Sequence, residues 1–491
     1  MNKIYKTVWN GTRRCLMVVN ESTKSHGKTS VSSGSTVCVT RSIKRSAITL
    51  AVLMALSWQG SAFAKDYKLE AGKNYTFGVL TDVDNFSAIG VQNVTIEGIN
   101  APNGLFNFQE LLRPDATKDP ETGKYLSDDY YYPIVTVESD AILAGLRTDG
   151  TFTINGNLTV IGDKTTEEYR QIIQQRIDEN TASSLIAGNL ILEGNENRPI
   201  TINGDVRAPI VDIRSIGIRS DEPASDYWGY TVINGNLYAD YLSTDNYAYY
   251  DDMTDYLEVN GTVTVSQMVI NNGSMNVDKL IVQGTFYNGN GTYTGTGEGN
   301  PLELVGATIG ELDATNIMNG SNLYVGTITN DSGQTYTQTF GTIQVQNNWF
   351  KDSTINMSGG IIDEALLGPD KNLGINNVFN VSGGTLRVSD LNFESTVKLT
   401  DQGKIETQLE SIFVNPDGDP EALNYVGLNN QSPQTIQSSM TKWFVNYAPG
   451  TLRTDLEDHV NFEGGSIVVS GFGTITQNQY DDLLAAFKGA F

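Results

Sequence analysis

Along most of the chain, short runs alternate β-branched or apolar residues with polar ones and then close on Asn-Gly, Gly-Asn or Gly-Gly. Early examples are Val94-Thr-Ile-Glu-Gly98, Phe152-Thr-Ile-Asn-Gly-Asn-Leu-Thr-Val160 and Ile200-Thr-Ile-Asn-Gly204. Thr231-Val-Ile-Asn-Gly-Asn-Leu237, Leu257-Glu-Val-Asn-Gly-Thr-Val-Thr-Val265 and Phe379-Asn-Val-Ser-Gly-Gly384 repeat the pattern further on. Alternation with period two predicts half-buried strands, and a closing Gly or Asn supplies the positive φ that turns the chain. By itself the pattern permits a sandwich, a series of hairpins or a solenoid. Copies recurring at roughly 20 to 30 residues, with other short strands between them, favour the solenoid. The expected fold is therefore all-β: a right-handed parallel β-helix in which inward Ile, Val, Leu and Phe form columns and outward Thr, Asn and Ser face water.

The alternation breaks in three places. Residues 164–180 carry Thr165-Thr-Glu-Glu168 followed by Tyr169, Ile172, Ile173 and Ile177 on one helical face, which predicts a helix packed on the side of the solenoid. Residues 477–487 align Tyr480, Leu483, Leu484 and Phe487 and predict a second helix. Residues 415–449 are rich in Asn, Gln, Ser and Pro and read as a loop or small subdomain. The expected organisation is a signal over 1–64, a β-helical region over 65–414, and a mixed region over 415–491 with a loop, a strand repeat and the helix.

The N-terminal segment follows a different logic. A basic arm and a second basic cluster at Arg41, Lys44 and Arg45 precede an apolar stretch that begins at Ala47, and the segment ends in Ala62-Phe63-Ala64. Basic region, short apolar core and small-x-small site describe a cleavable export signal, with Ala62 and Ala64 at the cleavage site and Lys65 as the first mature residue. The apolar core is shorter than the roughly 20 residues that span a bilayer, so an anchor is not expected. The arm ahead of the core is unusually long. Its residues Met1, Asn2, Lys3, Ile4, Tyr5 and Lys6, then Val8-Trp9-Asn10, Val18-Val19, Glu21 and Gly27-Lys28, resemble the extended signal region of type V secreted proteins of Gram-negative bacteria. That resemblance implies a passenger exported by the Sec machinery and passed through a barrel translocator. No array of alternating barrel strands follows the passenger, so the translocator is expected to be missing from this chain.

Nine of the 32 Lys and Arg and one of the 57 Asp and Glu lie in residues 1–64, so the mature chain carries 23 basic and 56 acidic residues, a net charge of −33. Such a charge repels nucleic acid and anionic membranes and suits an extended, well-solvated surface. Both cysteines, Cys15 and Cys38, fall in the signal, which leaves the mature protein without a thiol. A thiol-free chain avoids cross-links that would obstruct threading through an outer-membrane pore.

The chemistry on offer is sparse. His459 is the one mature histidine, and neither Gly-x-Ser-x-Gly nor Gly-Asp-Ser-Gly occurs, so neither a serine triad nor a zinc site is expected. No cofactor, metal or catalytic residue is assigned. Carboxylates are abundant, and a pair at a defined separation could cleave glycosidic bonds. Aromatic and acidic residues interleave at Tyr130, Tyr131 and Tyr132 and again at Tyr227, Trp228, Tyr230, Tyr247, Tyr249 and Tyr250. Tyr offers large rigid contact area with a polar tip, so these nine residues are the candidate ligand-binding surface.

The leading expectation is a non-catalytic, adhesin-like autotransporter passenger that binds a host protein or glycan, or another copy of itself. It would reach the cell surface or medium where a translocator is supplied and otherwise remain in the periplasm. A two-partner secretion exoprotein fits the same signal, although the Asn-Pro-Asn-Gly motif such proteins share is not found near Lys65. A carbohydrate-active β-helix enzyme with paired carboxylates is the alternative from another class.

Overall fold

The computed structural model describes residues 5–10, 15–20, 65–118, 120, 129–179, 184–194, 198–215, 230–244, 256–289, 306–329, 333–367, 374–388, 394–407, 460–469, 473–478 and 481. The chain forms two units, Met1–Ser61 and Ala62–Phe491. Within the first, Tyr5–Asn10 and Cys15–Asn20 pair as an antiparallel hairpin, with Trp9 opposite Leu16. The signal residues Tyr5, Lys6, Trp9 and Asn10 thus lie on one strand.

The second unit is a parallel β-solenoid with three faces. One circuit shows the construction: in Tyr256–Asn271, residues 256–259 lie on a first face, 262–265 on a second and 268–271 on a third. The next circuit, Ser274–Asn288, repeats the three segments in register, with Leu257 over Met275, Val263 over Leu280 and Val269 over Phe286. Among the described residues of this unit, two pairings are antiparallel: Ser466–Val469 with Gly473–Ile475, and Leu111–Leu112 with Tyr130–Tyr131. Val460–Phe462 and Ser466–Val469 stack on Thr396–Leu399 and Lys404–Thr407, so the strands on either side of residues 408–459 belong to one solenoid.

The alternating pattern becomes interior columns. On the first face, Ile96, Val137, Ile154, Ile202, Ile233, Val259, Val277, Ile309, Val325 and Val345 stack in register on successive circuits. All ten are buried. β-branched side chains lose little rotamer freedom on a pleated surface, and each such burial contributes about 1.5–3 kcal/mol. Near the N-terminal end the interior is aromatic, with Phe86 stacked on Phe106 at 5.2 Å and Phe108 against Phe152 at 5.6 Å.

One interior column is polar. At the end of the third face, Thr244, Asn271, Asn288, Asn319 and Gln338 lie in register and are completely buried. Each amide donates to the next carbonyl oxygen along the axis: Asn271 Nδ2 to Asn288 Oδ1 at 2.8 Å, Asn288 Nδ2 to Asn319 Oδ1 at 2.8 Å, and Asn319 Nδ2 to Gln338 Oε1 at 2.9 Å. Gln338 closes the chain on Phe340 O at 2.7 Å. The expectation that Asn faces water holds at other corners and fails here, because stacked amides one coil apart satisfy one another.

The role of the Asn-Gly glycines also differs from the expectation. Gly360 and Gly384, from the Gly-Gly pairs, do have positive φ (69° and 73°), whereas Gly156, Gly204, Gly235 and Gly261 are not among the positive-φ glycines. The latter are needed because coil stacks on coil: a Cβ on Gly235 would lie 2.5 Å from the Gly204 carbonyl, and one on Gly261 would lie 2.5 Å from Gly235 O.

The first predicted helix is α1, Thr166–Glu179. Thr165 and Glu168 form the reciprocal cap, with Thr165 N donating to Glu168 Oε2 at 2.7 Å and Glu168 N to Thr165 Oγ1 at 3.3 Å. Tyr169 and Ile173 pack on Ile210 and Tyr241 of the third face, with Ile172 half-buried beside them. Arg176 reaches the fully buried Asp212 at 2.7 Å, and Arg214 bonds the same carboxylate at 2.9 Å. The Ile177 side chain, residues 415–449 and most of the second expected helix lie outside the described residues.

Candidate binding edge

Four of the longer connections between strands share one corner. Segments 109–133, 195–199, 216–230 and 245–255 each leave the third face of one circuit and rejoin the first face of the next. The aromatic residues singled out from the sequence sit in these segments, so a shared offset from the strands brings some of them together.

Register fixes the neighbours. Phe152 N donates to Pro199 O at 3.2 Å and Ile200 N to Tyr230 O at 3.0 Å, while Thr231 lies over Leu257. At this corner Tyr132 is followed, after the circuit that turns at Gly150, by Arg198 and Pro199, and then on successive circuits by Tyr230 and Tyr256. The Arg198 guanidinium lies 4.1 Å from the centroid of the Tyr132 ring. Tyr230 and Tyr256 stack at 5.6 Å with 10° between ring planes, and Tyr130 stacks on Tyr132 at 6.0 Å. Tyr131 turns the other way: its ring sits beside Gly72, and the Arg113 guanidinium lies 4.9 Å from its centroid. The faces of the Tyr132, Tyr230 and Tyr256 rings are thus each covered by a neighbouring guanidinium or ring, the Tyr132 hydroxyl and the Arg198 side chain are buried, and Tyr230 and Tyr256 are half-buried. The Tyr256 hydroxyl donates to Glu258 Oε2 at 3.1 Å, and burial pushes its pKa above the usual phenol value.

Tyr130, Tyr131, Tyr132 and Tyr230 are thus placed at one corner, while Tyr227, Trp228, Tyr247, Tyr249 and Tyr250 lie outside the described residues. Ala62 and Ala64 also lie outside them, whereas Lys65 opens the first strand of the solenoid, Lys65–Lys68. Arg198 and Arg113 were not anticipated. Their signal was available in part: Pro199, Tyr230 and Tyr256 each stand one residue ahead of an aligned strand ending in Asn-Gly, which places Arg198 at the same corner.

The first face next to this corner is polar and regular. Thr76, Thr95, Thr136, Thr153 and Thr201 point outward in register on five successive circuits. Beside them Asn155, Asn203, Asn234 and Asn260 form an exposed ladder, each donating to the previous carbonyl oxygen at 3.1, 2.8 and 2.9 Å. The second polar residue of each turn serves the backbone: Asn157 Oδ1 accepts from Asp205 N at 2.9 Å, Asp205 Oδ1 from Asn236 N at 2.9 Å, and Asn236 Oδ1 from Thr262 N at 3.0 Å. The repeated Asn-Gly-Asn is accordingly a surface ladder followed by a corner cap.

Among the described residues, the Asp149 carboxyl has the most altered acidity. Burial pushes it up to about 8, the Glu110 and Glu193 carboxylates push the same way, and the Glu110 N–H, at 2.5 Å, holds it in place. It is buried, and Glu193 is engaged by Arg147 at 2.9 Å. Among the described residues no group of three His, Cys, Asp or Glu side chains is placed to hold a metal ion.

Residues 1–50 match the family described as the Extended Signal Peptide of Type V secretion system. The protein is a parallel β-solenoid made behind a type V export signal, and that signal directs it across the inner membrane. No curated protein and no solved structure matches the chain.

Proposed function

We propose that residues 65–491 form an autotransporter-like passenger that acts at the cell surface as an adhesin, by contact and not by turnover. The observation that carries this reading is the sharing of one corner by four connections, where Tyr132, Arg198, Tyr230 and Tyr256 follow one another along the axis. A solenoid needs only short turns to stack its coils, so lengthening the turns at one corner builds an edge without disturbing the core. Tyr and Arg are also the residues most enriched where protein surfaces bind strongly. The partner is a host surface protein or a glycan, recognised through hydroxyls and carboxylates along this corner.

The test is binding of the purified mature chain to cells, matrix proteins and a glycan panel, beside a variant carrying Tyr230→Ala and Tyr256→Ala. Saturable binding that weakens about tenfold or more in the variant, a loss expected for two interface aromatics, supports the reading. Failure of the mature chain to bind any of these surfaces removes it.

A further inference from the structure

Three carboxyls end the third face on consecutive circuits. Thr148 lies in register with Phe108 on one side and Leu192 on the other, and Glu110, Asp149 and Glu193 follow these residues at the corner. Asp149, the middle one, is buried. Among the described residues, the charged groups that act on it are Glu110 from the connection before, Glu193 from the circuit after, and Arg147 from its own strand. The Arg147 guanidinium is already held by Glu193 through two bonds, at 2.9 and 3.1 Å. Arg214 stands 3.8 Å from Glu193 and bonds Asp212 at 2.9 Å. A second negative charge at Asp149 therefore meets two carboxylates in a shielded place, and a proton on Asp149 removes that repulsion.

Asp149 also fastens something. Its Oδ1 accepts from Glu110 N at 2.5 Å, immediately before the hairpin in which Leu111 lies opposite Tyr131. The hairpin's own ties run within it, from Arg113 N to Asp129 O at 2.7 Å and from the Arg113 guanidinium to the Tyr131 ring at 4.9 Å. The strands behind the other two carboxyls are fixed more firmly: Ala141–Thr148 and Asn189–Gly194 are each paired with a neighbouring circuit on both sides. Repulsion at this corner is thus relieved by movement of the hairpin root, the least-paired of the three elements. A swing of Arg147 from Glu193 to Asp149 relieves nothing, because it uncovers Glu193 instead.

We propose that Asp149 is a proton-controlled latch: protonated, it holds the root of the Leu111–Leu112 and Tyr130–Tyr131 hairpin against the solenoid, and ionised, it releases it. The proton passes to water, which enters as the root lifts. Tyr132 directly follows the hairpin, so release disorders the start of the tyrosine edge. That last consequence rests on the reading of the corner as a binding edge; the latch itself does not.

The mature chain has no thiol, so a single Asp115→Cys, just beyond Leu112, can carry a nitroxide whose mobility is read without any binding partner. Glu97→Cys, on the exposed first face, is the control. The mobile fraction at position 115 should rise about tenfold between pH 7 and pH 9, as does the ionised fraction of an acid titrating at about 8, while position 97 stays constant. Asp149→Asn keeps an acceptor oxygen and cannot ionise, so it should abolish the rise. Glu110→Gln removes one repelling carboxylate and should reduce the rise at least twofold. An unchanged spectrum at 115, an equal change at 97, or a rise that survives either substitution overturns the proposal. A mature chain that releases the hairpin in this way but binds no surface removes the adhesin reading and supports the latch.

Discussion

Asn288 donates its side-chain amide to Asn319 Oδ1 at 2.8 Å while its own Oδ1 accepts from Asn271, and all three residues are wholly shielded from solvent. The same amide also reaches Asn322 O at 2.9 Å. Asn288→Ala removes the middle of this chain of bonds and leaves a buried donor on one side and a buried acceptor on the other. A loss of about 3 kcal/mol is expected, since each stranded group costs about 1–3 kcal/mol. Urea unfolding of residues 65–491 measures it, and a change within 0.5 kcal/mol, about the size of a surface substitution, would contradict the ladder.

Gly235 and Gly333 separate two reasons for glycine. At Gly235 an added Cβ meets backbone at 2.5 Å, which no side-chain movement relieves; at Gly333 φ is 79° and nothing lies within 4 Å. Gly333→Ala should cost about 1–2 kcal/mol, the strain of a left-handed alanine. Gly235→Ala should cost clearly more, because two coils must separate. Thermal unfolding of the two variants checks the order.

Asp212 is the carboxylate that both Arg176 of α1 and Arg214 of the third face bond. Its replacement by Ala is expected to cost about 3–5 kcal/mol, the range for breaking a buried ion pair by removing one partner. Hydrogen exchange should then show α1 opening before the coils beneath it.

Asp149 predicts a pH dependence. Its carboxyl is raised in the folded chain, to about 8 from an ordinary 3.8, so the folded state retains a proton that the unfolded state releases. Its contribution is fully present below the unfolded value, declines as pH rises, and is lost once pH passes about 8. Asp149→Asn preserves an oxygen to accept from Glu110 N and removes the titration. Stability measured between pH 5 and 9 should fall less steeply in the variant, and identical slopes would contradict the assignment.

Where a residue's neighbours follow from period alone, the sequence reading reached the structure. Alternation located the strands that become the Ile96 to Val345 column, and Thr165 with Glu168 located the start of α1. Orientation at the corners was not legible in this way. Asn260 and Asn288 both precede glycine, yet the first is exposed and the second completely buried, because they close different faces. Contacts across coils were hidden for the same reason: Arg198 meets Tyr132 only after an intervening circuit is wound. The candidate edge was accordingly half-visible, as clusters of Tyr whose common corner depends on register.

Parallel strands stacked in register, with identical residues repeating along the axis, are also the arrangement by which one chain templates the next in a fibril. In that light the returning strand Gly473–Ile475 acts as a terminator. It reverses direction against Ser466–Val469 and offers an incoming parallel strand no matching continuation there. Copying is thereby blocked where Ser466–Val469 would otherwise offer its free edge to a parallel strand.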